Sequence, residues 1–207
     1  MSKTIKLATV LAAAALTLAA CINIDRSGGD SDTGSSTSTS RHNDADVEFA
    51  QDMIPHHAQA IVMSSMAKKQ ARDPRLRQLA TDIQAAQGPE IEQMSGWLKT
   101  WGEDVPQGMR GMGGDSDYDM GDMGSMMDDG DMPGMMTGRQ MSNLDKSSGS
   151  RFDRIWLQMM IQHHEGAIEM AKVEQKNGQS TDAIELAKTI ESAQTEEIAL
   201  MKSMLRS

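Results

Sequence analysis

Met53-Ile54-Pro55-His56-His57-Ala58-Gln59-Ala60-Ile61-Val62-Met63 returns 107 residues later as Met160-Ile161-Gln162-His163-His164-Glu165-Gly166-Ala167-Ile168-Glu169-Met170, identical at seven of eleven positions. The same offset, without a gap, carries Leu79, Ile83, Ala86, Gln87, Glu90, Ile91 and Met94 onto Leu186, Ile190, Ala193, Gln194, Glu197, Ile198 and Met201. Self-similarity of this kind marks one supersecondary unit used twice. In the first unit Phe49, Met53, His56, Ala60, Met63 and Ala67 recur at alternating spacings of four and three, which is one face of a helix. Asp73-Pro74 interrupts that face, and Pro74 suits the first turn of a second helix. Leu76, Leu79, Ile83, Ala86, Glu90, Met94, Trp97 and Trp101 then trace another stripe, with Pro89 inside it as an expected kink. The second unit repeats the plan. Phe152, Trp156, Met160, His163, Ala167 and Met170 form one stripe, Asn177-Gly178 ends it, and Ile190, Ala193, Glu197, Met201 and Met204 form the next. No alternating strand pattern is sustained. The expected fold is all-α, a four-helix bundle made of two repeated hairpins at 47–101 and 151–207 that share one domain.

The flanks point to the compartment. Lys3 and Lys6 precede an apolar run over residues 7–20, too short for a permanent membrane span but suited to a signal peptide. Leu18-Ala19-Ala20-Cys21 resembles the bacterial lipobox, in which cleavage falls before the cysteine and its sulfur takes a lipid. Cys21 is the only cysteine, so it has no internal disulfide partner. Residues 1–20 are thus expected to be a signal peptide. Residues 21–46, rich in Gly and Ser, are expected to be a flexible tether from the lipidated Cys21, with no role for His42. The expected location is the cell envelope outside the cytoplasmic membrane, with the lipid as the only membrane contact. Aromatics are 3% of the chain, which disfavours a large aromatic β-core. The net charge of -10, with no basic stripe, excludes a nucleic-acid partner.

Methionine is the anomaly of the composition, at 20 of 207 residues. Ten of these lie in residues 102–150: Met109, Met112, Met120, Met123, Met126, Met127, Met132, Met135, Met136 and Met141. Gly, Asp and Ser supply most of the rest and no period is sustained, so this stretch reads as a long disordered Met-rich loop. Clustered thioethers on a pliable chain suit Cu(I). Met120, Met123, Met126, Met127, Met132, Met135 and Met136 are the candidate ligands there.

The histidine pairs are the second candidate site. Adjacent helix positions lie about 100° apart, so His56 and His57 point differently, yet a wide apolar face can turn both inward. Met53 is three residues before His56 and four before His57, within reach of the same patch. Met160, His163 and His164 repeat this arrangement. Packing of the two units about a pseudo-twofold axis would bring four imidazoles and two thioethers together. Imidazole binds copper, zinc, nickel and iron, whereas thioether favours Cu(I). The set therefore points first to copper, as Cu(I) or Cu(II), with zinc or iron as other occupants. Glu90 and Glu197 sit on apolar stripes. A carboxylate there needs a partner, and serves either as a ligand or as acceptor for the second N–H of a ligating His. A single stripe histidine is more often a hydrogen-bonded core residue, and stripe methionines are usually core filler.

The paired motifs M-I-P-H-H-x-x-A-I-x-M and M-I-x-H-H-E-G-A-I-E-M are each followed by a helix bearing A-x-x-I-x-x-A-Q-x-x-E-I-x-x-M. With these the chain resembles the domain of unknown function 305 family, over residues 45–101 and 151–206. The resemblance implies a ferritin-like four-helix bundle, export, and in Met-rich members an association with copper binding and tolerance. It marks His56, His57, His163, His164, Met53, Met63, Met160 and Met170 as metal-site candidates. Three functions compete. The first is a binding protein that sequesters copper or hands it on, needing no catalytic residue, with self-association or a copper-handling partner protein left open. The second is a di-iron oxidase, which wants Glu-x-x-His on two helices; Met53 and Met160 stand where those glutamates belong. The third is a metal-free interaction module in the envelope.

Overall fold

Three of the four long helices begin at a residue whose side chain accepts from a free amide of the first turn; Ser148, before Gly149–Asn177, makes no such bond. The computed structural model describes residues 41–106 and 132–207. The signal segment, Cys21 and the methionines Met120, Met123, Met126 and Met127 lie outside the described residues. Helix α1, Asp44–Gln70, starts at Asn43, whose side chain accepts from Ala45 and Asp46 N–H, while the Asp46 carboxyl accepts from Asn43 N–H in return. Helix α2, Pro74–Trp101, starts at Asp73 with Pro74 in its first turn, runs unbroken past Pro89, and ends at Gly102, whose φ of 83° is the left-handed stop that glycine adopts freely. Helix α3 is Gly138–Asp145, helix α4 is Gly149–Asn177, and helix α5 is Thr181–Met204, capped by Ser180.

The architecture is the expected all-α bundle of two hairpins. Helix α1 packs on α2, α4 packs on α5, and the hairpins meet through α1 and α4. The two histidine-bearing helices are therefore the ones that face each other. Trp156, fully buried, clamps this interface by donating from Nε1 to the Met63 carbonyl at 2.7 Å.

A reciprocal pair of aspartates closes the pseudo-symmetry. Asp46 on α1 accepts from the backbone N–H of Gln179 and Ser180, in the turn before α5. Asp153 on α4 accepts from the N–H of Arg72 and Asp73, in the turn before α2. Both the carboxylates and the amides they hold are related by the 107-residue offset.

The structure departs from the expectation in three places. The stretch 102–150 is not uniformly irregular: residues 138–145 are helical, and Met136, Met141 and Leu144 are buried in one core cluster with Met63, Phe152 and Trp156. Met136, placed by its sequence context on a free loop, is 1% exposed. Apolar burial of about 1.5–3 kcal/mol per large side chain holds this segment down. The tether is shorter than read, because helix begins at Asp44 and His42 stacks on Trp101 with ring centroids 4.6 Å apart. Finally, Ala86 and Ala193 face solvent, and Gln87 and Gln194 are buried in their stead. Among the described residues no helix is long and apolar enough to cross a membrane.

Candidate metal centre

His56 and His163 occupy equivalent positions on the two helices that cross at the hairpin interface, and their rings meet there. The centroids are 3.7 Å apart and the planes are inclined by 36°. A further helical step turns His57 and His164 toward their own hairpin partners. His57 Nε2 lies 2.7 Å from Glu90 Oε2, and His164 Nε2 lies 2.7 Å from Glu197 Oε2. All four imidazoles are buried, none more than 1% exposed. The His163 and His164 centroids are 6.4 Å apart.

Burial sets the charge. Desolvation, followed by repulsion from His57, pushes His56 down to about 3, against the opposing pull of a hydrogen bond to the Pro133 carbonyl. His163 is held well below its ordinary range by desolvation and then by the neighbouring histidines, His56 first. Both rings are therefore neutral at physiological pH and keep a nitrogen lone pair.

Five buried ring nitrogens have no hydrogen-bond partner among the described residues: Nδ1 of His56, His57, His163 and His164, and Nε2 of His163. An orphaned buried polar atom is costly unless something fills the role. Oε1 of Gln87 and of Gln194 is orphaned as well, one turn before each glutamate. These glutamines belong to the repeat but escaped the stripe reading, because the apolar count favoured the alanine before each. Among the described residues no three His, Cys, Asp or Glu side chains already form a closed ligand cage.

The methionines divide. Met63, Met160 and Met136 are buried in one core cluster. Met53 is buried in the other, with Met170 packed against it. Met132 and Met135 are half-buried. The carboxylates differ from their histidines in access, for the Glu90 and Glu197 side chains are 18% and 21% exposed. Each histidine–glutamate pair thus runs from the dry interior to the surface.

The doubled His-His motif, each copy with its glutamate 33 residues on, lies within a stretch that matches a known family. The chain belongs to the family Domain of unknown function (DUF305). The match spans residues 46–205. A DUF305 protein of Streptomyces coelicolor, assigned to the secreted proteins, is 32% identical, with 82% of this chain and 93% of that one covered and a TM-score of 0.65. CopM in its Cu(I)-bound form is 28% identical, with coverage of 78% and 95% and a TM-score of 0.59. Its Cu(II)-bound form is 29% identical, with a TM-score of 0.60. The uncharacterized protein L153 of Acanthamoeba polyphaga mimivirus is 45% identical over 53 residues, 26% of this chain. That match spans about a third, 35%, of L153. The matched stretch takes in both hairpin units.

Proposed function

We propose that this DUF305 protein is an exported copper-binding protein that sequesters the ion or passes it on, using the buried histidines as its site. The observation that carries the reading is the cluster of four buried imidazoles, with His56 and His163 in ring contact, whose Nδ1 atoms lack a partner among the described residues. Unpaired lone pairs in a dry site suit a cation that prefers nitrogen and sulfur. His56, His57, His163 and His164 would hold the ion, and Met53, Met63, Met160 and Met170 are the nearby sulfur candidates. When bound, copper supplies an electron-accepting centre for these donors. Glu90 and Glu197 accept the Nε2 protons of His57 and His164, which fixes the orientation of both rings. The resemblance to CopM, which has been crystallised with Cu(I) and Cu(II), supports the choice of metal.

Export and anchoring through a lipid on Cys21 complete the proposal. Its support is the apolar run over 7–20, the Leu18–Cys21 lipobox pattern and the secreted assignment of the Streptomyces coelicolor relative. The methionines from Met120 to Met136 are proposed as additional soft ligands for Cu(I), with Met136 requiring release from its packed position.

Metal content decides the matter. The protein is expressed with copper, iron and zinc all present, purified, and analysed. Copper retained by the native chain, and lost when His56, His57, His163 and His164 are all replaced by Ala, is the expected result. Equal copper in both would remove the histidines from the site. Two irons per chain would favour the oxidase, and no stoichiometric metal would favour an interaction module.

A further inference from the structure

Positions 59 and 166 are equivalent in the two units, yet one is Gln and the other Gly. Both touch the same short segment, Pro133–Met136. Gln59 Nε2 donates to the Met136 carbonyl at 2.8 Å, and Met136 N–H donates to Gln59 Oε1 at 2.7 Å, both bonds buried. On the other side, a Cβ on Gly166 would collide with the Pro133 carbonyl and stand 2.7 Å from Gly134 Cα. Gly134 has φ +77°, and a Cβ there would come 2.6 Å from the Gln162 carbonyl oxygen. Glycine therefore faces glycine where the segment crosses α4, because no side chain fits between the two backbones. Between the amide clamp and this gap, the Pro133 carbonyl oxygen lies 3.0 Å from His56 Nε2.

A carbonyl oxygen only accepts, so His56 must carry its proton on Nε2. The buried, unpartnered Nδ1 is then the lone pair. We propose that residues 133–136 form a positioning strap for the histidine site: clamped by Gln59 and seated on Gly166, the strap fixes the His56 tautomer and presents Nδ1 as the donor atom. Its purpose rests on the metal-binding reading above, but the tautomer exists without metal. Glu90 and Glu197 impose the same choice on His57 and His164. Three of the four rings thus offer Nδ1, and among the described residues no side chain or backbone group fixes the tautomer of His163 in the same way. The difference between the two units follows from one strap crossing a pseudo-twofold axis. One copy must grip it and the other must make room.

The test is long-range proton–nitrogen spectroscopy of the imidazoles in the metal-free, nitrogen-15-labelled protein. The native chain is expected to show His56 with a protonated Nε2 and a bare Nδ1. Gln59→Leu keeps the bulk and removes both amide bonds, whereas Gly166→Ala pushes a methyl group into the Pro133 carbonyl. In each, the His56 signals should move toward tautomer averaging while His57 and His164 stay as they are, and Cu(I) affinity should fall about ten- to a hundredfold. A native His56 protonated on Nδ1 would overturn the proposal, and that measurement needs no variant. So would an unchanged His56 signal in folded Gln59→Leu. Locked tautomers in a native chain that takes up no copper would instead defeat the metal reading and leave the hold on His56 standing.

Discussion

At the scale of single residues, the two histidine–glutamate contacts are the sharpest feature. Each places a carboxylate 2.7 Å from a buried Nε2, and each repeats at the same separation along the chain. Such a contact raises the basicity of the ring and fixes its orientation. Glu90→Gln with Glu197→Gln removes the charge while keeping size and an acceptor oxygen. Copper affinity of the double variant should fall about ten- to a hundredfold in a competition titration, with helicity by circular dichroism unchanged. Unaltered affinity would show that the carboxylates serve the bundle and not the ion. These residues were legible in the sequence because a polar group on an apolar stripe, seen twice at one register, stands out. What stayed hidden was the direction of each ring. Adjacent positions differ by about 100° of helix rotation, and only packing decides that His56 turns to the other hairpin and His57 to its own.

At the scale of elements, the bundle is held at its turns by carboxylates that reach across it. Asp46 is fully buried and takes backbone N–H groups from both Gln179 and Ser180 as well as from Asn43. Asp153 does the equivalent for Arg72 and Asp73, from a half-buried position. Removing an acceptor strands a buried donor, and hydrogen bonds to a charged group are worth about 1.5–3 kcal/mol. Asp46→Ala should therefore destabilise the protein by at least about 1.5–3 kcal/mol in urea titration, and Asp153→Ala by less, since the Arg72 amide is already exposed. Equal losses would mean that burial does not set the size of the effect. The 107-residue offset does relate Asp46 to Asp153, but the readable apolar motif begins at Met53, beyond the helix start. Helix α3 was missed for a related reason. Thr137 and Gln140 form a capping box, with the Thr137 hydroxyl facing Gln140 N–H at 3.3 Å. That spacing was visible, but the eight-residue helix gives apolar periodicity too little length to register.

Across the whole molecule, one further carboxyl links the hairpins without a counterpart in the repeat. Glu174 near the end of α4 is 1% exposed, and position 67 in the first unit is Ala. Burial, with a hydrogen bond to Asp46 second and the charge of Asp46 third, pushes Glu174 up to about 8. Among the described residues neither of its oxygens finds a donor, as fits a carboxyl that keeps its own proton and turns it toward Asp46. The unfolded chain releases that proton near 4.5, whereas the folded chain holds it to about 8. Between those values the native state binds more protons than the unfolded state, so the contribution of this group is complete below about pH 4.5 and is lost as pH rises through 8. The urea midpoint of the metal-free protein should accordingly drop between pH 6 and pH 8.5, by an amount that Glu174→Gln largely abolishes. A Gln amide stays neutral throughout and still donates to Asp46. If the variant keeps the full decline, the proton is not held at Glu174 and the fall originates elsewhere. If the decline vanishes, the contact between the start of α1 and the end of α4 is a carboxyl sharing its proton. In that case the two hairpins come apart more readily in alkali than their apolar interface alone would require.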